Sequence, residues 1–172
     1  VLRPYMPKGM SLKQLGLFMD QTFSKRMDME KIKSIRDRWK GKIVLKGVAT
    51  EADAEKAIQL GMDGIIVSNH GGRQLDVGES TIRPMSRITE KYGAKITVMM
   101  DSGVRSGPDS ANCLASGAKF VFMGRAFMYG VTALGKQGGN HTISLLKAQF
   151  KQVMEQIGCE RTTDLPNFLH RS

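Results

Sequence analysis

From residue 42 onward the chain alternates short apolar runs with longer mixed stretches. The runs are Lys42–Lys46 (KIVLK), Gly64–Ser68 (GIIVS), Lys95–Asp101 (KITVMMD) and Lys119–Met123 (KFVFM). Each is apolar on both faces, as a strand buried in a parallel sheet must be. The stretches between them carry helix signals. Thr50–Gly61 opens on a Thr cap, has Glu51 and Asp53 in its first turn, and stops at Gly61. Pro108–Gly117 begins with Pro at an early helical position and ends in Gly. Thr142–Ile157 spaces Ile143, Leu146, Phe150, Val153 and Ile157 along one helical face.

Four such units in succession predict an α/β fold with right-handed parallel crossovers. Periodicity alone leaves an open sheet and a barrel equally available. The polar residues add a constraint. Lys46, Ser68 with His70, Asp101, and Gly124–Arg125 each fall at or just after the end of a predicted strand. Enzymes of both architectures assemble their sites at that edge, and barrels commonly bind phosphate after the last two strands. The chemistry is therefore expected on one rim.

Residues 1–30 have a different texture. Leu2, Tyr5, Met6, Met10, Leu12, Leu15, Leu17, Phe18, Met19 and Phe23 are interleaved with Arg3, Lys8, Lys13, Lys25 and Arg26. The mixture could lie on an anionic membrane surface, and it also suits an ordinary loop and helix packed on the main body. The expected division is thus 1–30 as an apolar and basic segment and 31–172 as the main domain.

Composition narrows the class. A chain of 172 residues with 41% hydrophobic content can bury one substantial core. The sequence has no uninterrupted apolar run long enough to span a bilayer, and it opens on no charged-then-apolar leader pattern. Cys113 and Cys159 stand apart with no metal-ligand spacing around them, so both read as packing residues in a reducing, cytoplasmic setting. The net charge of +10 favours anionic partners. Its basic residues are dispersed and no nucleic-acid module is present, so nucleic acid is not the expected partner.

The most informative string is Ser68-Asn69-His70-Gly71-Gly72-Arg73-Gln74-Leu75-Asp76. An imidazole is the usual general base near neutral pH, a guanidinium captures carboxylates through two parallel bonds, and paired glycines let the backbone approach a ligand. A histidine near an arginine is a poor signal by itself. The whole string, however, resembles the active-site signature of the FMN-dependent 2-hydroxy-acid dehydrogenases and oxidases, which include glycolate oxidase, lactate dehydrogenase and mandelate dehydrogenase. The resemblance runs from about residue 27 to 169 and is nearest to the mandelate dehydrogenases. It recurs in Leu45-Lys46-Gly47, in Asp101-Ser102-Gly103-Val104-Arg105-Ser106-Gly107, and in Gly124-Arg125 followed by Tyr129-Gly130.

This resemblance implies the C-terminal half, strands 5 to 8, of a (β/α)8 barrel. It implies FMN as cofactor and a small 2-hydroxy acid as substrate, oxidised to the 2-oxo acid. His70 matches the catalytic base and Arg73 the clamp on the substrate carboxylate. Lys46 matches the lysine beside the flavin N1 edge and Ser68 a flavin contact. Asp101, Ser102, Gly103, Val104 and Arg105, with Gly124 and Arg125, match the ribityl and phosphate cradle. Many relatives have Gly at Ser102 and Arg at Ser106, and Pro108 replaces a more usual polar residue. His141 and His170 match no motif. The family's substrate-side tyrosines and the aspartate that orients its histidine would lie upstream of this sequence. Half a barrel also exposes two sheet edges, so the missing half or self-association is expected. A non-catalytic FMN- or phosphate-binding half barrel is the alternative reading. A peripheral contact with the inner membrane surface is the third.

Overall fold

Three of the four apolar runs become parallel strands in the order of the chain, each followed by a helix that covers the same side of the sheet. The computed structural model describes residues 7–22 and 27–170. Its helices and strands are α1 (Leu12–Thr22), α2 (Met29–Arg38), β1 (Val44–Val48), α3 (Glu51–Gln59), β2 (Gly64–Val67), α4 (Ile82–Tyr92), β3 (Thr97–Met100), α5 (Gly107–Ala115), α6 (Arg125–Leu134) and α7 (Gly138–Ile157). Short 3-10 turns occupy His70–Gly72, Gly135–Gln137 and Thr162–Phe168. Expectations for Leu2, Arg3, Tyr5, Met6, Phe23, Lys25 and Arg26 fall outside the described residues. Among the described residues no helix is long and apolar enough to cross a membrane.

The sheet order is β1-β2-β3. The register aligns Leu45 with Ile65 and Val98, and Lys46 with Ile66 and Met99. Because side chains alternate across a strand, these two rows face opposite sides of the sheet. Ile65 and Val98 pack with Ala54 and Ala57 of α3, Met85, Ile88 and Tyr92 of α4, and Cys113 of α5 in the main core. The row of Lys46, Ile66 and Met99 lies on the other face and is less buried.

The fourth apolar run is shorter in pairing than its sequence predicts. Residues 119–122 run beside β3 through Lys119 N–H to Val98 O at 2.8 Å, Met100 N–H to Phe120 O at 3.1 Å and Phe122 N–H to Met100 O at 2.9 Å. Only Met100 and Val121 form a ladder bridge. Among the described residues this segment is the sheet's outer edge, and no further strand extends the pairing. A second correction concerns Lys46, expected at the end of its strand. The strand starts two residues later than predicted and continues past Lys46 to Val48. Gly47 takes a φ of +95°, and the register shifts between Lys46 and Val48. That irregularity ends β1 as a bulge does.

The helix signals hold with small adjustments. Thr50 caps α3 by accepting the Asp53 N–H. Ser106 and Asp109 form a reciprocal capping box on α5, which starts at Gly107. Helix α7 begins one turn before the predicted Thr142 and so takes in His141. Helices α5 and α7 touch at Gly107, where any Cβ would strike the Phe150 backbone. Both cysteines are buried, as packing residues should be.

Candidate functional site

The loops after β2 and β3, together with the start of α6, converge on one side of the sheet. They bound an open pocket of about 230 Å³. Its walls include Lys46, His70, Arg73, Asp101, Ser102, Gly103, Val104, Arg105, Gly124 and Arg125. Every site residue singled out from the sequence is therefore gathered here except Ser68. That residue is buried beneath the pocket and receives a hydrogen bond from Lys46 Nζ at 2.8 Å.

Lys46 forms the site's central ion pair, with Asp101. The lysine stands on the less buried row of β1 and the aspartate follows β3, so the pair spans β2. Partial burial acts to raise the Asp101 carboxyl. Hydrogen bonds from Lys46, Ser68 and Ser102, with the Lys46 charge, outweigh it and hold the group below its ordinary value.

The His70 loop is unusual in its backbone. His70 has a φ of +56°, followed by Gly71 at +68° and Gly72 at +74°. The left-handed region is costly for a residue with a Cβ, so surrounding bonds must hold His70 there. They are visible. Its N–H donates to Ser68 Oγ at 3.1 Å, and the Gly71 N–H donates to Asn69 Oδ1 at 3.0 Å and Ser102 Oγ at 3.1 Å. The Gly71 carbonyl accepts from Arg125 Nη2 at 3.0 Å. A Cβ at Gly71 would stand 2.7 Å from that nitrogen and displace the Arg125 side chain, and the φ of +68° strains any residue other than glycine there. The His70 and Arg73 side chains are exposed on the pocket wall.

The opposite end of the pocket suits an anion. Helix α6 starts after Gly124 with no side-chain cap, leaving its first N–H groups and the positive end of its dipole available. Arg105 and Arg125 flank that end. The Arg105 guanidinium lies 5.7 Å from the centre of the Tyr129 ring, and the Arg105 backbone N–H donates to Asp109 Oδ2 at 3.0 Å. Gly103 and Gly124 each adjoin open space where a Cβ would be. Among the described residues no cluster of His, Cys, Asp or Glu could hold a metal ion.

Two polar residues of the site were not singled out from the sequence. Thr81 is buried, and its hydroxyl donates to the carbonyls of Asp101 at 3.0 Å and Ser102 at 3.4 Å. Its place before α4 reads as a helix cap, yet the hydroxyl serves the site instead and makes no cap bond. Asn69, inside the quoted string, closes an Asx turn onto Gly71. Phe122, Met123 and Met128 supply an apolar wall that no motif marks.

Comparison with known proteins gives a consistent result. A family model described as FMN-dependent dehydrogenase matches residues 3–171. An L-lactate dehydrogenase of Bartonella quintana is 38% identical over 161 residues, covering 94% of this chain and 42% of the relative. The (S)-mandelate dehydrogenase of Pseudomonas putida is 38% identical over 160 residues, covering 92% and 40% respectively. A solved structure described as the monotopic membrane protein (S)-mandelate dehydrogenase superposes with a TM-score of 0.89 at 36% identity, over 97% of this chain and 44% of that one. The chain thus spans about two-fifths of the relatives it matches. Its parallel strand–helix succession is the C-terminal half, strands 5 to 8, of their (β/α)8 barrel.

Proposed function

Because the chain belongs to the FMN-dependent dehydrogenase family, we propose that it forms the flavin-phosphate and catalytic half of an enzyme that oxidises a small 2-hydroxy acid to the 2-oxo acid. One observation carries this reading: a basic anion cradle, an ion pair and an exposed His–Arg loop share the walls of one pocket.

The donor set fits FMN. Arg105 and Arg125, with Gly124 at the uncapped start of α6, would hold the phosphate dianion. Asp101 through Val104 would line the ribityl chain, and Lys46 with Ser68 would face the flavin ring. When bound, FMN supplies the acceptor for two electrons. The chain's own groups do the rest. Arg73 captures the substrate carboxylate through its planar fork and fixes the carbinol carbon in place. His70 receives the substrate proton on its imidazole. Lys46 offers a cation where negative charge accumulates. Lactate and mandelate, named in the relatives, are the substrates to test first.

On this reading residues 31–172 are the flavin-binding half barrel. Val44 at one sheet edge, and Phe120 and Phe122 at the other, are exposed. The N-terminal half of the barrel, or a second copy of this chain, covers them. Residues 1–30 dock the cytoplasmic enzyme on the inner membrane surface, a role favoured by the net charge of +10. Liposome sedimentation that is strong at low salt and lost at high salt is the expected result, and equal recovery at both argues against electrostatic docking.

The deciding experiment is an FMN titration of this chain by quenching of flavin fluorescence, with Arg125→Ala as control. Saturable binding that the variant weakens is expected. Absence of binding would transfer the functional reading to the complete barrel. The partial span of the relatives also favours a second reading, a half barrel that binds FMN without turnover. Binding without bleaching by lactate or mandelate, even after the barrel is completed, selects it.

A further inference from the structure

Five hydrogen bonds, closed by the His70–Gly71 peptide itself, form a circuit. From the Gly71 N–H the path runs to Ser102 Oγ at 3.1 Å, and from the Ser102 hydroxyl to Asp101 Oδ1 at 2.8 Å. Asp101 Oδ2 accepts from Lys46 Nζ, which also donates to Ser68 Oγ at 2.8 Å. Ser68 Oγ in turn accepts the His70 N–H at 3.1 Å. The circuit joins β1, the loop after β2 and the loop after β3.

Ser102 is the unexpected member. It has a φ of +76°, the only non-glycine residue besides His70 in the left-handed region among the described residues. Its own backbone is therefore disfavoured, and two bonds of its hydroxyl offset that cost. Both lone-pair and proton sides of the hydroxyl are committed, one to the Gly71 amide and one to Asp101. A hydroxyl used in this way acts on the loop, while the residue itself still lines the pocket.

We propose that Ser102 is a positioning residue that bolts the His70 loop to the Lys46–Asp101 pair, so the loop that carries the base is set by the same pair that faces the flavin. This rests on the assignment of His70 as the base, but the bolt itself can be measured without turnover.

The test is amide exchange of the 172-residue chain, followed by NMR, in Ser102→Ala and Ser102→Gly. Both variants remove the hydroxyl. Exchange at Gly71 is expected to quicken about fivefold, the value of one ordinary hydrogen bond, with the Asn69 bond remaining. Ile65 and Val67 in β2 should keep their rates. Ser102→Gly should also melt no lower than Ser102→Ala, because glycine adopts the left-handed backbone freely. Unchanged exchange at Gly71 in both variants overturns the proposal. Acceleration spread evenly over Gly71, Ile65 and Val67 overturns it as well, since that marks general destabilisation. A His70→Gln enzyme that still reduced flavin would remove the base assignment and leave the exchange result standing.

Discussion

Lys46 and Asp101 stand 55 positions apart in the chain and meet as an ion pair across the strand that separates their own. One strand and two loops depend on that meeting, since Ser68 and Ser102 each bond one member of the pair and each also holds a backbone amide of the His70 loop. Site geometry and fold stability are therefore linked through a single carboxylate.

That link has a pH signature. The Asp101 carboxyl is held below its ordinary value of 3.8 despite partial burial. A depressed carboxylate contributes stability that is complete above its unfolded pKa and disappears as pH falls through the folded value. Asp101→Asn should therefore melt lower than the parent at about pH 7, and the gap should narrow below about pH 4. Parallel melting curves over this range would show that the pair contributes nothing to the fold.

The loop side chains should separate chemistry from binding in a completed barrel. His70→Gln is expected to retain FMN yet lose reduction by a 2-hydroxy acid, a drop of roughly a hundredfold or more for a lost general base. Arg73→Lys should chiefly weaken the carboxylate, since a point charge cannot copy the fork. A neutral alcohol analogue, compared with the acid by flavin bleaching, checks this: equal losses for both would refute the clamp.

Helix packing offers a prediction independent of any ligand. A Cβ at Gly107 would overlap the Phe150 backbone of α7, and a backbone cannot swing aside as a side chain can. Gly107→Ala should cost about 2 kcal/mol, or roughly 6 °C in melting temperature for a domain of this size. Calorimetry at neutral pH measures it, and an unchanged midpoint would mean that α7 shifts freely on α5.

The cores of the elements were legible because burial on both faces leaves a plain mark, as in Gly64–Val67. Their ends were less so. The 119–123 run has the composition of a central strand, but composition cannot say that its outer neighbour is missing, and pairing stops at Val121. Thr81 shows the complementary difficulty. A threonine before a helix normally caps it, whereas here tertiary contacts recruit its hydroxyl to the Asp101 and Ser102 carbonyls. The residues of the pocket were found through their resemblance to a signature. The circuit among them, and the left-handed backbone at His70 and Ser102, could not be: no residue type at these positions announces it.

Thiol chemistry provides a last check. Burial, reinforced by the Asp109 charge, pushes the Cys113 thiol up to about 11. At about pH 8 only roughly one such thiol in a thousand is ionised, and the thiolate is the reactive form. Iodoacetamide should leave Cys113 unmodified in the native chain and label it after denaturation, as peptide mass spectrometry will report. Fast native labelling would mean that α5 opens readily.

Strand order in this sheet repeats chain order. Each strand pairs with one already made, and none waits for a partner still to be translated. The ribosome can therefore deliver the unit in the sequence in which it assembles, every new strand docking on a finished edge. The two outer edges, at Val44 and at Phe120 and Phe122, are what the assembled unit still offers to a partner.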